Sequence, residues 1–221
     1  MAPAMREERL MGSKAAPEAV VFDIGEVLLH WSPERVYARL IPDAEQRARF
    51  FRDICPPEWN AAFDRGAPMP QGVAEHAARH PGHAELIRAW WTEWPQMIGP
   101  AIGGSVACLK ALKARGVPVY GLTNFAAETF EIARARYPFL DDFDVCVVSA
   151  HVKRNKPEPE IYAELEARTG AAPRTLFFAD DRPENVAAAE ARGWHGHVFE
   201  HAEGLQAALI GHGLLNREDL A

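Results

Sequence analysis

Four sets of polar residues stand just downstream of apolar runs, and their types are those that do chemistry. Asp23 follows "VVF", Thr123 and Asn124 follow "VYGL", Lys156 lies beyond "VCVV", and Asp180 with Asp181 follows "LFFA". Carboxylates can act as nucleophiles or as oxygen ligands of a hard cation, while a hydroxyl and an ammonium group can hold an anion. Each set alone also has a structural explanation. An aspartate after a strand caps a helix, Thr-Asn makes a turn, and Lys-Pro opens a helix. Only a fold that gathers all four gives them a joint chemistry.

The surrounding pattern predicts such a fold. Short apolar runs alternate with helix-period segments: "AVVFDI", then "VPVYGLT" before "AAETFEIARARY", "DVCVVS" before "PEIYAELEARTG", "TLFFADD" before "PENVAAAEARG", and "HGHVFE" before "AEGLQAALIGHG". This alternation implies an α/β fold, a Rossmann-like parallel sheet with helices on both faces, whose strand ends share one rim. Gly116, Gly170 and Gly193 each close a helical pattern, where a left-handed residue is favoured.

One connection is far longer than a crossover helix needs. Between the first run and "VPVYGLT" lie several helical patterns and no convincing strand: "SPERVYARLI", "DAEQRARFFRDI", "PEWNAAFDRG", "QGVAEHAARH" and "HAELIRAWWTEW". The expected organisation is therefore a loose leader over residues 1–17, an α/β core over 18–31 and 99–221, and an inserted helical cap over 32–98. Such a cap would sit over the strand ends where open α/β sheets bind ligands. Within it, Ile87, Trp90, Trp91 and Trp94 form one helical stripe, read here as core, while Trp31 and Trp59 are the aromatics nearer to function.

Composition narrows the partners. With 221 residues, 48% of them hydrophobic, the chain can bury a substantial core, and a formal charge of -7 argues against nucleic acid or an anionic membrane surface. A small soluble substrate is expected instead. Cys55, Cys108 and Cys146 are widely spaced without a CxxC pair, which fits free thiols in a reducing compartment. The opening residues carry no apolar run of signal-peptide length, so a cytoplasmic location is expected. His76, His80 and His83, and His195 with His197, are read as solvated or edge histidines rather than metal ligands.

The order of the polar sets resembles the haloacid dehalogenase superfamily over about residues 20 to 215: "FDIGEVL", "GLTN", "KPEPEIY" and "FFADDRPENV" resemble its four motifs, and the insertion resembles the helical cap of its subfamily I. The resemblance implies that Asp23 is a nucleophile that accepts a phosphoryl group. It implies a Mg²⁺ ion held by Asp23, the backbone carbonyl of Gly25 and Asp181, with Asp180 a direct or water-mediated ligand. It also implies that the Thr123 hydroxyl and the Asn124 amide bind phosphate oxygens, and that Lys156 neutralises charge. Three carboxylates against one lysine would repel a phosphate dianion unless a divalent cation were present. Asn185 stands where many relatives carry another acid; it would bind a metal-bound water or orient Lys156, with packing as the alternative reading.

In most phosphatases of that superfamily the residue two after the nucleophile is a second aspartate serving as general acid and base; here it is Gly25. Loss of such help slows turnover by roughly two to four decades. A "D-x-G-x-V" branch that includes sugar-phosphate phosphatases is similar, so the expectation is a slow, Mg²⁺-dependent phosphatase favouring good leaving groups such as anomeric sugar phosphates. Substitute acids would be Glu26, His30, Asp64 or His76. The alternatives are a 2-haloacid dehalogenase, for which the Asp180–Asp181 pair is unneeded, and a phosphometabolite-binding or protein-interaction module whose catalysis has lapsed.

Overall fold

Ala19–Phe22 (β1) is buried along its whole length, as a strand must be when helices cover both faces of its sheet. A computed structural model describes residues 16–220, so all but the last two residues of the expected leader lie outside the described residues. The remaining strands are Leu29–Trp31 (β2), Ile98–Ala101 (β3), Val119–Thr123 (β4), Val145–Val148 (β5), Leu176–Asp180 (β6) and His195–Val198 (β7). Five of them form one parallel sheet in the order β5-β4-β1-β6-β7, each apolar run of the sequence supplying one strand.

This order decides where the polar sets meet. β1 lies between β4 and β6, with Phe22 in register with Gly121 on one side and Ala179 on the other. Asp23, Thr123 and Asp180 therefore end three neighbouring strands, spaced at the roughly 4.8 Å of a sheet. Side chains of β1 alternate between two cores. Val20 and Phe22 join one with Val106, Leu109 and Phe130, and Ala19 and Val21 join the other with Tyr162, Leu165 and Trp194. The helix Pro159–Thr169 begins on proline and ends at Gly170, whose φ of +68° satisfies the predicted left-handed stop.

The long connection holds the helices Glu34–Leu40, Ala44–Arg49, Pro57–Asp64, Met69–Arg79, Ala84–Thr92 and Trp94–Met97, with a π turn at Phe50–Ile54. The sequence expectation of no strand here needs correction. β2 and β3 pair antiparallel, Leu29 with Ala101 and Trp31 with Ile98, and form a two-stranded ribbon at the root of the insertion. At three and four residues, with Gly99 and Pro100 inside one of them, they are too short to show a period. The apolar face of the insertion is continuous with one core of the sheet. Tyr37, Phe50, Ile87 and Trp90 pack in the same cluster as Phe22 and Ile24, and the Tyr37 hydroxyl donates to the Leu86 carbonyl at 2.7 Å. No helix among the described residues is long and apolar enough to cross a membrane.

Candidate active site

Backbone bonding fixes Asp23. Its N–H donates to the Ala179 carbonyl at 2.9 Å, extending the β1–β6 ladder by one residue, and the chain then turns through Gly25, which bridges to Leu29. Ile24 N–H donates to Asp23 Oδ1 at 2.7 Å, and Lys156 Nζ lies 2.9 Å from the same oxygen. Among the described residues Oδ2 has no bonded partner, which leaves it available to a substrate or cation.

Lys156 is held on four sides. Its Nζ donates to Asp180 Oδ2 at 2.6 Å and to the Leu122 carbonyl at 2.8 Å as well as facing Asp23. Asn124 clasps its backbone, accepting from Lys156 N–H at 2.7 Å and donating to its carbonyl at 3.0 Å. The sequence assigned Asn124 only a backbone amide; its side chain has this positioning task. Asp180 accepts from Lys156 on Oδ2, from Arg182 N–H on Oδ1, and from Asn185 Nδ2 on both oxygens. Asn185 and Lys156 thus share the Asp180 carboxylate as acceptor. Thr123, buried, ends β4 beside β1.

The electrostatics follow from burial. Burial pushes the Asp23 carboxyl up to about 7, opposed by the Lys156 ammonium and reinforced by Asp180. The same burial would lower the Lys156 amine, but Asp23 and Asp180 outweigh it and hold it above its ordinary value. Half-buried Asp181 is raised by desolvation and then by Asp180. Three acids crowded against one cation make a site that gains from further positive charge.

The residues fit a hard divalent ion. Asp23, Asp180 and Asp181 each offer an oxygen within 4.8 Å of the others. Asp180 already accepts four hydrogen bonds, which leaves Asp23 and Asp181 with the freer carboxylate oxygens. Asn185 Oδ1 is buried without a hydrogen-bond partner, a position suited to accepting from a metal-bound water.

Above this rim opens a cavity of about 780 Å³ whose walls include Asp23, Gly25, Asn124, Lys156, Asp181 and Asn185 below and residues of the helical insertion above. Backbone and side-chain bonds hold the insertion over the rim. Ser149 Oγ donates to the Asp64 carbonyl at 2.5 Å, Asn155 Nδ2 to the Ala61 carbonyl at 3.0 Å, and Arg65 pairs with Glu158 at 2.6 Å.

Of the substitute acids, only Asp64 is brought into the cavity by the insertion. Burial raises its carboxyl to about 7 against hydrogen bonds from Asn60 and Ala126. Glu26 lines the cavity edge, but its Oε1 accepts from Trp31 N–H at 2.6 Å and its Oε2 pairs with His30 at 3.2 Å, so both residues lock the turn after β1. His76 lies outside the cavity walls, stacked on Trp59 with its Nε2 on the Ile54 carbonyl. The aromatic stripe is also more than core. Trp90 and Trp94 are buried and line the cavity, as do Trp31 and Phe125. Asn60 was missed; its spacing of four residues before Asp64 on one helix was the available signal.

Comparison with known proteins agrees with this geometry. A model described as "haloacid dehalogenase-like hydrolase" matches residues 17–193. A sesquiterpene phosphatase (astK) of Aspergillus oryzae is 29% identical over 81% of this chain and 88% of its own length. Hexitol phosphatase A of Escherichia coli is 33% identical over 51% of this chain and 52% of its own length. Among solved structures, a family enzyme of Bacteroides thetaiotaomicron in complex with magnesium and inorganic phosphate aligns over 84% of this chain and 95% of its own, with a TM-score of 0.68 at 20% identity.

Proposed function

The chain belongs to the haloacid dehalogenase-like hydrolases, and from that premise we propose a Mg²⁺-dependent phosphatase that cleaves a small phosphorylated metabolite through an aspartyl-phosphate on Asp23. Its phosphatase relatives support the sugar-phosphate phosphatase-like branch of the family. In this reading residues 32–98 work as a cap over a core of residues 18–31 and 99–221, in the cytoplasm.

One observation carries the reading. The unpartnered Asp23 Oδ2 lies beside a lysine that is itself fixed by Asp180, at the floor of a covered cavity. Oδ2 attacks phosphorus, the bond to the ester oxygen breaks, and the leaving oxygen takes its proton from water and departs as the alcohol. Water then attacks the phosphoryl group, releasing phosphate and restoring the carboxylate. Lys156 stabilises charge on Asp23 and the transferring oxygens, while the Thr123 hydroxyl and the Asn124 N–H donate to those oxygens. A Mg²⁺ ion, when bound by Asp23, Asp181, the Gly25 carbonyl and, through water, Asp180, supplies charge neutralisation.

Gly25 has no side chain to move either proton, which makes turnover slow and favours esters with good leaving groups. A dehalogenase reading is not favoured, because the Asp180–Asp181 pair that a metal needs is intact and converges with Asp23. The relatives named for a sesquiterpene and for a hexitol differ in the polarity of the organic group, so the names alone leave that group open. The test is phosphate release from p-nitrophenyl phosphate with Mg²⁺. Asp23→Asn is expected to abolish it, and undiminished release by that variant would end the proposal.

A further inference from the structure

The organic part of the substrate must occupy the cavity above the rim, and the walls there have a definite chemistry. The aromatic rings of Trp31, Phe51, Trp90, Trp94 and Phe125 and the Met69 side chain all line that cavity. Polar side chains among them are turned to one another. Trp90 Nε1 donates to Asn60 Oδ1 at 3.1 Å, and Asn60 Nδ2 donates to Asp64 Oδ2 at 3.1 Å. Thr129 Oγ1 donates to the Ala126 carbonyl at 3.2 Å and Asn155 Nδ2 to that of Ala61. Polyol recognition requires convergent donors and acceptors with free valence, because each hydroxyl buried without a partner weakens binding. These walls have spent part of that valence internally, while the buried Asn155 Oδ1 keeps an unpartnered acceptor.

Charge points the same way. Every cation lining the cavity is paired: Arg65 with Glu158, Lys156 with Asp23 and Asp180, and Arg182 with Glu184. Among the described residues no unpaired cation lines the cavity to take a second phosphate or a carboxylate. The volume of about 780 Å³ is that of a site for a drug-sized molecule rather than for a three-carbon ester.

We propose that the substrate is the phosphate monoester of a bulky, uncharged, predominantly hydrocarbon alcohol, seated against the Trp31, Trp90, Trp94 and Phe125 rings with its phosphoryl group at Asp23. This rests on the phosphatase reading and narrows it, departing from the sequence expectation of a sugar phosphate. Asp64, at the Asn60 end, is a carboxyl that the insertion brings to the wall, as is Glu58, and it would meet a hydroxyl if the alcohol carries one.

The experiment compares citronellyl phosphate with sorbitol 6-phosphate. Both are primary alkyl esters, so the absent second acid penalises them alike and only the organic group differs. Expected is a kcat/KM for citronellyl phosphate higher by about ten-fold or more; an equal or lower value overturns the proposal. Binding of both esters to the Asp23→Asn variant, read by quenching of the wall tryptophans, separates the two levels of argument. Tighter citronellyl binding without hydrolysis by the native protein sinks the phosphatase reading and keeps the substrate class. Equal binding sinks the class even where hydrolysis is seen. Trp31→Ser, a change at a half-buried residue, is expected to lower kcat/KM for citronellyl phosphate more than for sorbitol 6-phosphate, reducing the preference several-fold. An unchanged preference in a folded Trp31→Ser protein would count against the wall assignment.

Discussion

If Gly25 limits the rate because it cannot transfer protons, Gly25→Asp should restore that help. The backbone permits the change: a Cβ placed on Gly25 meets no atom within 4 Å, and the residue is not in the left-handed region that resists side chains. Gly25 lines the cavity two residues beyond Asp23, so the new carboxyl enters the space where the leaving oxygen must be protonated. General acid–base catalysis contributes on the order of 10² to 10⁴ in rate, about 3 to 5 kcal/mol of barrier. Against it stands repulsion. One more ionised carboxyl about 6 Å from the phosphate, at an effective dielectric of about 20, costs about 3 kcal/mol per unit charge. That repulsion acts on the bound ground state and on the ionised form, so it weakens substrate binding, whereas the protonated form delivers the catalytic gain. The expected outcome for an alkyl phosphate is a kcat about 100-fold higher with a raised KM. For p-nitrophenyl phosphate, whose leaving group needs no proton, the gain should stay below about ten-fold. Steady-state kinetics on both esters with saturating Mg²⁺, beside a melting curve to verify folding, would decide it. A folded variant with unchanged kcat on the alkyl ester would refute the idea that the missing acid limits turnover.

Three further outcomes follow from the same site. Mg²⁺ at about 100 times its Kd should stabilise the protein by about 2.7 kcal/mol, raising Tm by about 5 to 10 °C for a chain of this size. Asp181→Ala should abolish that rise, and a rise that survives in the variant would place the ion elsewhere. Lys156→Met leaves Asp23 and Asp180 buried without their cation, so at pH 8 it should lose about 3 to 5 kcal/mol, on the order of 10 °C in Tm, as well as activity; a native-like melt would show the triad is not a buried ion cluster. Asp64, raised to about 7 from an unfolded value near 3.8, binds its proton more tightly when folded. Its contribution is therefore fully present below about pH 4 and is lost as pH rises toward 7. Asp64→Asn should flatten the Tm-versus-pH curve over that window relative to native protein, and parallel curves would show that its carboxyl is not buried in solution.

Which parts of this site were legible in the sequence depends on the physical scale of each feature. The rim was readable because a parallel sheet buried on both faces forces continuous apolar runs, and the residue that ends each run must lie at a strand end. Asp23, Asp180 and Thr123 thus become neighbours once β1 is central. Helix stops were readable from Gly116, Gly170 and Gly193, each of which has a positive φ. The β2–β3 ribbon was hidden, since its register is set by the return of a long insertion and not by a local period. The Asn124 clasp on Lys156 was hidden for a related reason: an amide's partner 32 residues away depends on how two loops converge.

The tryptophans of the insertion make the sharpest case. Spacing predicts one helical face for Trp90 and Trp94, but the helix ends at Thr92 and Trp94 opens the next one; a face turned to a core and a face turned to a cavity also have the same period. Only the neighbours distinguish them. Trp90 touches the ring of Tyr37 on one side, in the cluster that joins the insertion to the sheet, and borders the cavity on the other. The same ring therefore stabilises the covered arrangement and forms the surface against which a leaving group would rest. A change there alters folding and selectivity together, whereas Trp31, on the short ribbon and half-buried, can alter selectivity with less structural cost. Parallel losses of stability and preference at Trp90, with loss of preference alone at Trp31, are what a wall shared between core and cavity requires.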